Sequence, residues 1–354
     1  MINFNVCKSK IIMGTKIMSD LSSLMLGCPK SCKAFVITDT NVSEIYLEYL
    51  KSQLKKLNLE VHYYIIPAGE FSKSLKTVEN IYEKLSFDLI SKNDIIISLG
   101  GGVVSDISGF VASTYKRGIK LVNIPTSFLA MIDASIGGKN AVNLNSGKNL
   151  VGSFYFPDLI LIDYNFLNTL PKKELNSGIA EAIKCGAIFD EKLFDILEKE
   201  KFEDNIENII YRSILVKKKL VEEDQFDSGK RMLLNFGHTI GHAVESLSEY
   251  KNISHGDAVS IGMNVITKIS EELGLTSTGA HERLKNVCEK YSLPTQNNFS
   301  IENLSETILQ DKKNFGEYIN LVILKNIGNS FLFKLPSSNI INFLEGREIY
   351  FWVV

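Results

Sequence analysis

Four apolar runs in the first half of the chain carry almost no alternation. They lie in KAFVITDTN, NDIIISLGGG, KLVNIPTS and LILID. A strand with one wet face alternates apolar and polar residues, whereas a strand that is apolar throughout must be covered on both faces. Between the first two runs, SEIYLEYLKSQLKKLNL sets Ile45, Leu50, Leu54 and Leu57 at helical spacing. Buried strands separated by helices predict an α/β fold around a parallel sheet. From LPKKELNSGIAEAIK onward the pattern is mostly helical, until a late β-like pair in YINLVILKNIGNSFLFKL. Pro171 follows the last parallel strand, which puts the expected boundary near residue 172, with units 1–172 and 173–354. A chain of 354 residues, 45% of them apolar, can support two cores.

Composition excludes several classes of function. A formal charge of −2 lacks the basic footprint of a nucleic-acid binder, and no long block of like charge suggests a tail. The five cysteines (Cys7, Cys28, Cys32, Cys185, Cys288) are odd in number and scattered, so they read as reduced thiols. The first residues lack a signal-peptide core, and no apolar run is long enough to span a membrane. The expectation is a soluble cytoplasmic protein without internal repeats.

Three of the five histidines fall between 238 and 255. In RMLLNFGHTIGHAVES, Arg231, Asn235, His238, His242 and Glu245 are spaced 4, 3, 4 and 3 apart, so on one α-helix they form a single stripe. Such a stripe is either a solvated face or the wall of a cavity. Arg, Asn and His favour the wall, since exposed faces usually carry Lys and Glu. His255 follows Ser254, a plausible N-cap, and so opens a further helix. A catalytic zinc site needs three ligands and an open position, which two imidazoles and a carboxylate would supply. Glu181, in the otherwise apolar SGIAEAIKCG, is the best carboxylate, because burying it needs a cation or metal. Lys184 lies at i+3 on the same face.

Two glycine-rich stretches admit both a functional and a plain reading. SLGGGVVSDISGF is a buried strand, three glycines and a helix. That arrangement exposes backbone N–H groups to a phosphate, though it also makes an ordinary tight turn. Asp106 is expected in the first helical turn, where the dipole alone would favour it. ASIGGKNAVNLNSGKNLVGSF presents Lys139, Asn140, Lys148 and Asn149 on what reads as a flexible loop, either for an anionic ligand or for water. Arg117 in STYKRGIK and DKKN at 311–314 are further isolated basic groups.

Taken in order, PAGEFSKS, GGGVVSDISGF, YKRG, IPTSFLAMIDASIGGKNAVN, GKNLVGSFYFP, LPKKELNSGIAEAIK, RMLLNFGHTIGHA, HGDAVSIGM and DKKN resemble the sugar phosphate cyclases, specifically their dehydroquinate synthase branch. The resemblance implies an N-terminal NAD-binding α/β domain, a mainly helical C-terminal metal-binding domain and a cleft between them. It implies that Glu181, His238 and His255 hold zinc or cobalt, and that His242, Asp227, Lys184 and Lys217 are catalytic. Arg117, Asp133, Lys139, Asn149, Arg231, Asn235 and Lys312 match substrate-binding positions. Asp39, Asn41, Glu70, Lys73, Gly101, Gly102, Val103, Asp106, Thr126, Ser127, Lys148 and Thr169 match NAD-contacting positions. Arg117 corresponds to an arginine that reaches the neighbouring active site, which implies a homodimer. The implied reaction takes 3-deoxy-D-arabino-heptulosonate 7-phosphate through transient NAD-dependent oxidation, phosphate elimination, reduction and intramolecular aldol closure.

The chain departs from the family pattern at a few positions. Ser105 stands where Gly is usual, Ala134 and Asn140 where Ser and Thr are usual, and Gln225, Asp227 and Asp257 where Glu is usual. Asp227 occupies the position of a proton acceptor and is one methylene shorter. Three rival readings remain: a sister cyclase such as 2-deoxy-scyllo-inosose synthase, a polyol dehydrogenase of the glycerol dehydrogenase type, and a non-catalytic paralogue. Lys217, Arg231, Asn235, His242 and Lys312 keep the dehydroquinate synthase type. A dehydrogenase has no use for a phosphate-binding set, and an intact metal triad argues against the paralogue.

Overall fold

A computed structural model describes residues 1–25, 32–248, 253–312 and 317–347, without the side chains of Ser22, Asp311 and Lys312. The chain divides into two compact units, Met1–Pro171 and Lys172–Val354. Cys28 lies outside the described residues, Cys7 is half-buried, and Cys32, Cys185 and Cys288 are buried. Among the described residues no helix is long and apolar enough to cross a membrane.

The first unit is built on the strands β1 (Ile2–Val6), β2 (Ser9–Gly14), β3 (Lys33–Asp39), β4 (Glu60–Ile66), β5 (Ile95–Gly100), β6 (Lys120–Pro125), β7 (Lys139–Leu144), β8 (Gly147–Phe154) and β9 (Leu159–Asp163). Seven of them form one sheet in the order β1-β2-β9-β6-β5-β3-β4. All its pairings are parallel except the β1–β2 hairpin at one edge. The four apolar runs are β3, β5, β6 and β9, and β5 is buried along its whole length, as a strand covered on both faces must be. The helices of this unit are α1 (Leu21–Leu24), α2 (Thr40–Val42), α3 (Glu48–Lys55), α4 (Leu75–Phe87) and α5 (Gly102–Thr114). The helix expected from SEIYLEYLKSQLKKLNL is present, with a wider π-turn over Ser43–Leu47 joining α2 to α3. Phe35, Ile37, Ile96, Val104, Ile107, Val111 and Leu121 form a buried core between the sheet and α5.

The 139–149 stretch is not a flexible loop. β7 and β8 pair as an antiparallel hairpin from Lys139↔Phe154 to Leu144↔Gly147. Asn140 helps to anchor it: the buried amide donates to the carbonyls of Gly138 (2.8 Å) and Tyr155 (3.0 Å). It also lies against Gly109 of α5, where any added Cβ would fall 1.8 Å from its Oδ1. This departure from the family pattern is therefore a packing residue.

The second unit carries α6 (Lys172–Phe189), α7 (Glu191–Lys199), α8 (Ile206–Glu223), α9 (His238–Leu247), α10 (His255–Glu272), α11 (Ala280–Lys290), α12 (Ile301–Lys312) and α13 (Ile340–Leu344). The late β-like pair is the hairpin β10 (Tyr318–Asn326) and β11 (Asn329–Pro336). Glycines set the approach of α9 to α10. A Cβ on Gly262 would sit 2.0 Å from the Gly237 carbonyl oxygen, and one on Gly241 2.9 Å from that of Ala258.

Candidate active site

In the first unit most of the residues matched to NAD contacts lie at the carboxyl ends of neighbouring parallel strands, with Val103 in the first turn of α5 and Lys148 apart on β8. Asp39 closes β3, Gly101 and Gly102 follow β5, Thr126 and Ser127 follow β6, Glu70 and Lys73 follow β4, and Thr169 ends the turn after β9. Ligands of open α/β sheets bind at this edge, because there the strands hand over to helix N-termini. Gly101 is the N-cap of α5 and supplies no side-chain cap, so the first-turn N–H groups remain available to an anion. The space beside the turn is tight: a Cβ on Gly101 would lie 3.3 Å from Ser127 Oγ, and one on Gly102 3.3 Å from Ala134 Cβ. A bare backbone cradle of this kind fits a dinucleotide pyrophosphate.

Asp106 sits beyond the first turn of α5 rather than within it. Its carboxylate pairs with the buried Lys73 at 2.5 Å, so the side chain answers an ammonium and not only the helix dipole. Asp39 accepts from the N–H groups of Asn41 (2.9 Å) and Val42 (3.0 Å), capping α2. Ser105 turns its hydroxyl back onto the Gly101 carbonyl at 3.1 Å. Tyr46, a residue the sequence did not single out, bonds through its hydroxyl to Thr169 Oγ1. Lys139 is exposed at the start of β7, Lys148 is half-buried in β8, and Asp133 lies on the turn Ala130–Ala134. Asn149 adopts φ +57, a left-handed conformation that Asn tolerates, and Lys73 Nζ donates to its Oδ1 at 2.6 Å. Arg117, also left-handed at φ +60, is exposed.

In the second unit the histidine stripe is broken. Lys230–Asn235 is a short 3-10 turn, and α9 begins only at His238. Gly237 between them takes φ +78, and a Cβ there would meet Met263 Cγ at 2.6 Å and the Val259 carbonyl oxygen at 2.8 Å. Arg231 and Asn235 therefore belong to a separate turn, while His238, His242 and Glu245 share α9. Arg231 is buried and donates from Nη1 to the Gln225 carbonyl at 2.7 Å. Asp224, which sequence reasoning missed, organises this loop by accepting from the N–H groups of Ser228, Gly229 and Arg231. An Asp followed by Ser-Gly at turn distance was the available signal. Asp227 sits in the same loop at φ +59, and Lys217 is buried on α8. The Lys312 side chain lies outside the described residues; its backbone ends α12.

Glu181, His238 and His255 come together from α6, α9 and α10. Each can offer one ligand atom such that all lie within 4.8 Å of one another. His238 Nε2 is 3.7 Å and His255 Nε2 3.6 Å from Glu181 Oε1. Metal bonds of about 2.0–2.1 Å at tetrahedral angles would separate ligand atoms by about 3.4 Å, so the set fits zinc with little adjustment. The far ring nitrogens are held as well. His238 Nδ1 lies 3.1 Å from the Phe236 carbonyl oxygen, and His255 Nδ1 3.5 Å from Glu245 Oε1. Such partners fix which nitrogen faces the metal. The capping box of Ser254 and Asp257 holds the first turn of α10, so the shorter Asp257 keeps its structural role.

The electrostatics follow from burial and close charge. Burial opposes ionisation of Glu181, but the Lys184 ammonium paired with it and the two imidazoles hold its carboxyl well below the usual range. Burial and the Lys184 charge push His238 down to about 3, leaving it the neutral imidazole that metal binding requires. Burial works against charge on His255 too, but Glu181 and Glu245 outweigh it and raise that ring to about 9. His242 is exposed one turn beyond His238, with its ring centre 5.5 Å from that of His238 and 6.5 Å from that of His255.

A glycine-lined sheet edge in one unit and a carboxylate–imidazole triad in the other suit a nucleotide and a metal ion, and the fold is that of the sugar phosphate cyclases. The structure matches 2-epi-5-epi-valiolone synthase from Streptomyces hygroscopicus subsp. jinggangensis 5008, solved with NAD+ and Zn2+, at a TM-score of 0.84, with 26% identity and 95% of each chain covered. It matches 2-deoxy-scyllo-inosose synthase, solved with carbaglucose-6-phosphate, NAD+ and Co2+, at a TM-score of 0.85, with 24% identity, covering 97% of this chain and 99% of that one. Residues 63–177 match the 3-dehydroquinate synthase N-terminal family and residues 178–314 the 3-dehydroquinate synthase C-terminal family. The 3-dehydroquinate synthase of Clostridium acetobutylicum is 47% identical over 334 residues, covering 93% of this chain and 94% of that protein. The chain belongs to the 3-dehydroquinate synthase family.

Proposed function

We propose that the chain is a carbon–oxygen lyase that converts 3-deoxy-D-arabino-heptulosonate 7-phosphate to 3-dehydroquinate and phosphate, with NAD recycled in each turnover. The observation that carries this reading is the triad of Glu181, His238 and His255, converging with ligand-like spacing in a chain 47% identical to a 3-dehydroquinate synthase. Identities of 24–26% to the two sister cyclases support this substrate over theirs.

When bound, NAD supplies a reversible hydride acceptor, and a zinc or cobalt ion supplies Lewis acidity at the hydroxyl being oxidised. The ion is held by Glu181, His238 and His255. NAD is held by Asp39, Asn41, Glu70, Lys73, Gly101, Gly102, Val103, Asp106, Thr126, Ser127, Lys148 and Thr169. The remaining tasks fall to this chain's charges. Lys184 balances the Glu181 carboxylate and, with Lys217, brings buried positive charge for an anionic substrate. His242, exposed to solvent on the helix that carries His238, exchanges a proton with the substrate, and Asp227 accepts one. Arg117, Asp133, Lys139, Asn149, Arg231, Asn235 and Lys312 orient the sugar phosphate, Arg117 from the partner copy of a homodimer.

Incubating the chain with the sugar phosphate, NAD and zinc tests this reading. Phosphate release and 3-dehydroquinate should appear together, with no net rise in NADH absorbance. Stoichiometric NADH would replace it with a polyol dehydrogenase.

A further inference from the structure

Asn143 is assigned no task by the reading above, yet it joins residues from three parts of the first unit. It sits at the irregularity in the β7–β8 register between Val142 and Leu144, so its backbone N–H turns away from the hairpin. That N–H donates to the Lys73 carbonyl at 2.8 Å, and Asn143 bridges to Ser74. Its side chain is used at both ends: Nδ2 donates to Glu70 Oε1 at 2.7 Å, and Oδ1 accepts from the Asn149 N–H at 2.9 Å. Lys73 closes the ring, with its N–H on the Glu70 carbonyl at 3.0 Å and its Nζ on Asn149 Oδ1 at 2.6 Å.

We propose that Asn143 is a positioning residue that locks the cofactor-facing turn Glu70–Lys73 and the substrate-facing Asn149 into one unit, a role that rests on the functional reading above. A carboxamide suits this position, because it offers an acceptor and a donor at the two ends of one short planar group. The left-handed φ of Asn149 is one that Asn tolerates, and the bond from its N–H to Asn143 Oδ1 helps to select it. Loss of the amide would free Glu70 and Lys73 together with Asn149, although Asn143 itself touches neither ligand.

Two variants separate the halves of this role. Asn143→Asp keeps an acceptor for the Asn149 N–H, but sets a second carboxylate against Glu70. It should weaken NAD, measured by equilibrium binding to metal-free protein, about tenfold, while the KM for the sugar phosphate stays within about threefold. Asn143→Ala should raise both constants about tenfold. The split in Asn143→Asp is the decisive readout, because a merely structural loss would move both constants together. Asn143→Asp binding NAD like the wild type, or matching Asn143→Ala on both constants, would overturn the positioning role alone. A wild-type chain that binds no NAD would overturn both this role and the functional reading.

Discussion

The two candidate ligand regions are built on opposite principles. At the carboxyl edge of the sheet the groups presented at the glycine turn are backbone N–H groups of α5, and the side chains nearest to it are small. At the metal triad every presented group is a side chain, carried on one of three helices and braced by a partner behind it. A backbone site depends on chain path and, away from the glycines themselves, tolerates changes of side chain. A side-chain site depends on identity and on the spacing of its helices. Substitutions at the triad should therefore be far more costly than comparable ones at the turn.

The largest effect should come from the ligands themselves. Glu181→Ala or His238→Ala leaves two donors, and two donors hold zinc poorly. Bound metal should fall to background. Losing several kcal/mol of charge stabilisation should cut turnover by about a thousandfold. Metal analysis with full zinc in both variants would sink the assignment.

Next comes the spacing of α9 and α10. Gly262→Ala forces a methyl group to 2.0 Å from the Gly237 carbonyl oxygen, and backbone rather than a flexible side chain must yield. Overpacking of this kind costs about 1–3 kcal/mol, and it should loosen metal binding as His238 and His255 separate. The matching change at the sheet edge, Gly101→Ala, meets Ser127 Oγ at 3.3 Å. It should unfold at nearly the wild-type temperature while weakening NAD. Equal thermal shifts in the two variants would erase the contrast.

A third, smaller effect isolates the brace. Glu245→Gln keeps shape and an acceptor but removes the charge behind His255, and such changes typically cost about 10–100-fold in metal affinity. Competition against a chelator measures it, and NAD binding serves as the internal control. Unchanged metal affinity would mean that the buried Glu245 carboxylate does not act through His255.

The same contrast explains what the sequence disclosed. β3, β5, β6 and β9 were legible because full burial writes itself as unbroken apolar runs. Glu181 was legible because a carboxylate in an apolar helix is costly without a cation, and the structure gives it Lys184 and two imidazoles. The break at Gly237 was not legible. His238 and Arg231 keep helical spacing in number, and the need for a glycine at 237 comes from the close approach of Met263 and Val259, which local spacing does not encode. The β7–β8 hairpin was hidden for a related reason. Its glycines read as flexibility, whereas Gly152 is there because a Cβ would fall 2.4 Å from the Asn140 carbonyl oxygen. The part of Glu245 in bracing His255 depends on a tertiary contact that no local spacing encodes.

The smallest expected effect tests the tolerance of the backbone site. Ser105 stands one turn into α5, nearly inaccessible to solvent, with its N–H and its hydroxyl both directed at the Gly101 carbonyl, at 3.0 and 3.1 Å. Ser105→Gly restores the residue usual in the family at this position. It removes one hydroxyl bond and raises the helix's entropic cost, together about 1 kcal/mol. For a unit of this size that is a drop of about 2–4 °C in Tm. The first-turn N–H groups keep their path, because the Ser105 N–H still bonds to Gly101 and fixes the turn. The NAD dissociation constant should therefore stay within about twofold of the wild type, well inside one ordinary hydrogen bond. A tenfold loss of NAD affinity, with the same small change in Tm, would mean that the hydroxyl helps to shape the cradle. The sheet edge would then depend on side-chain identity as the metal triad does.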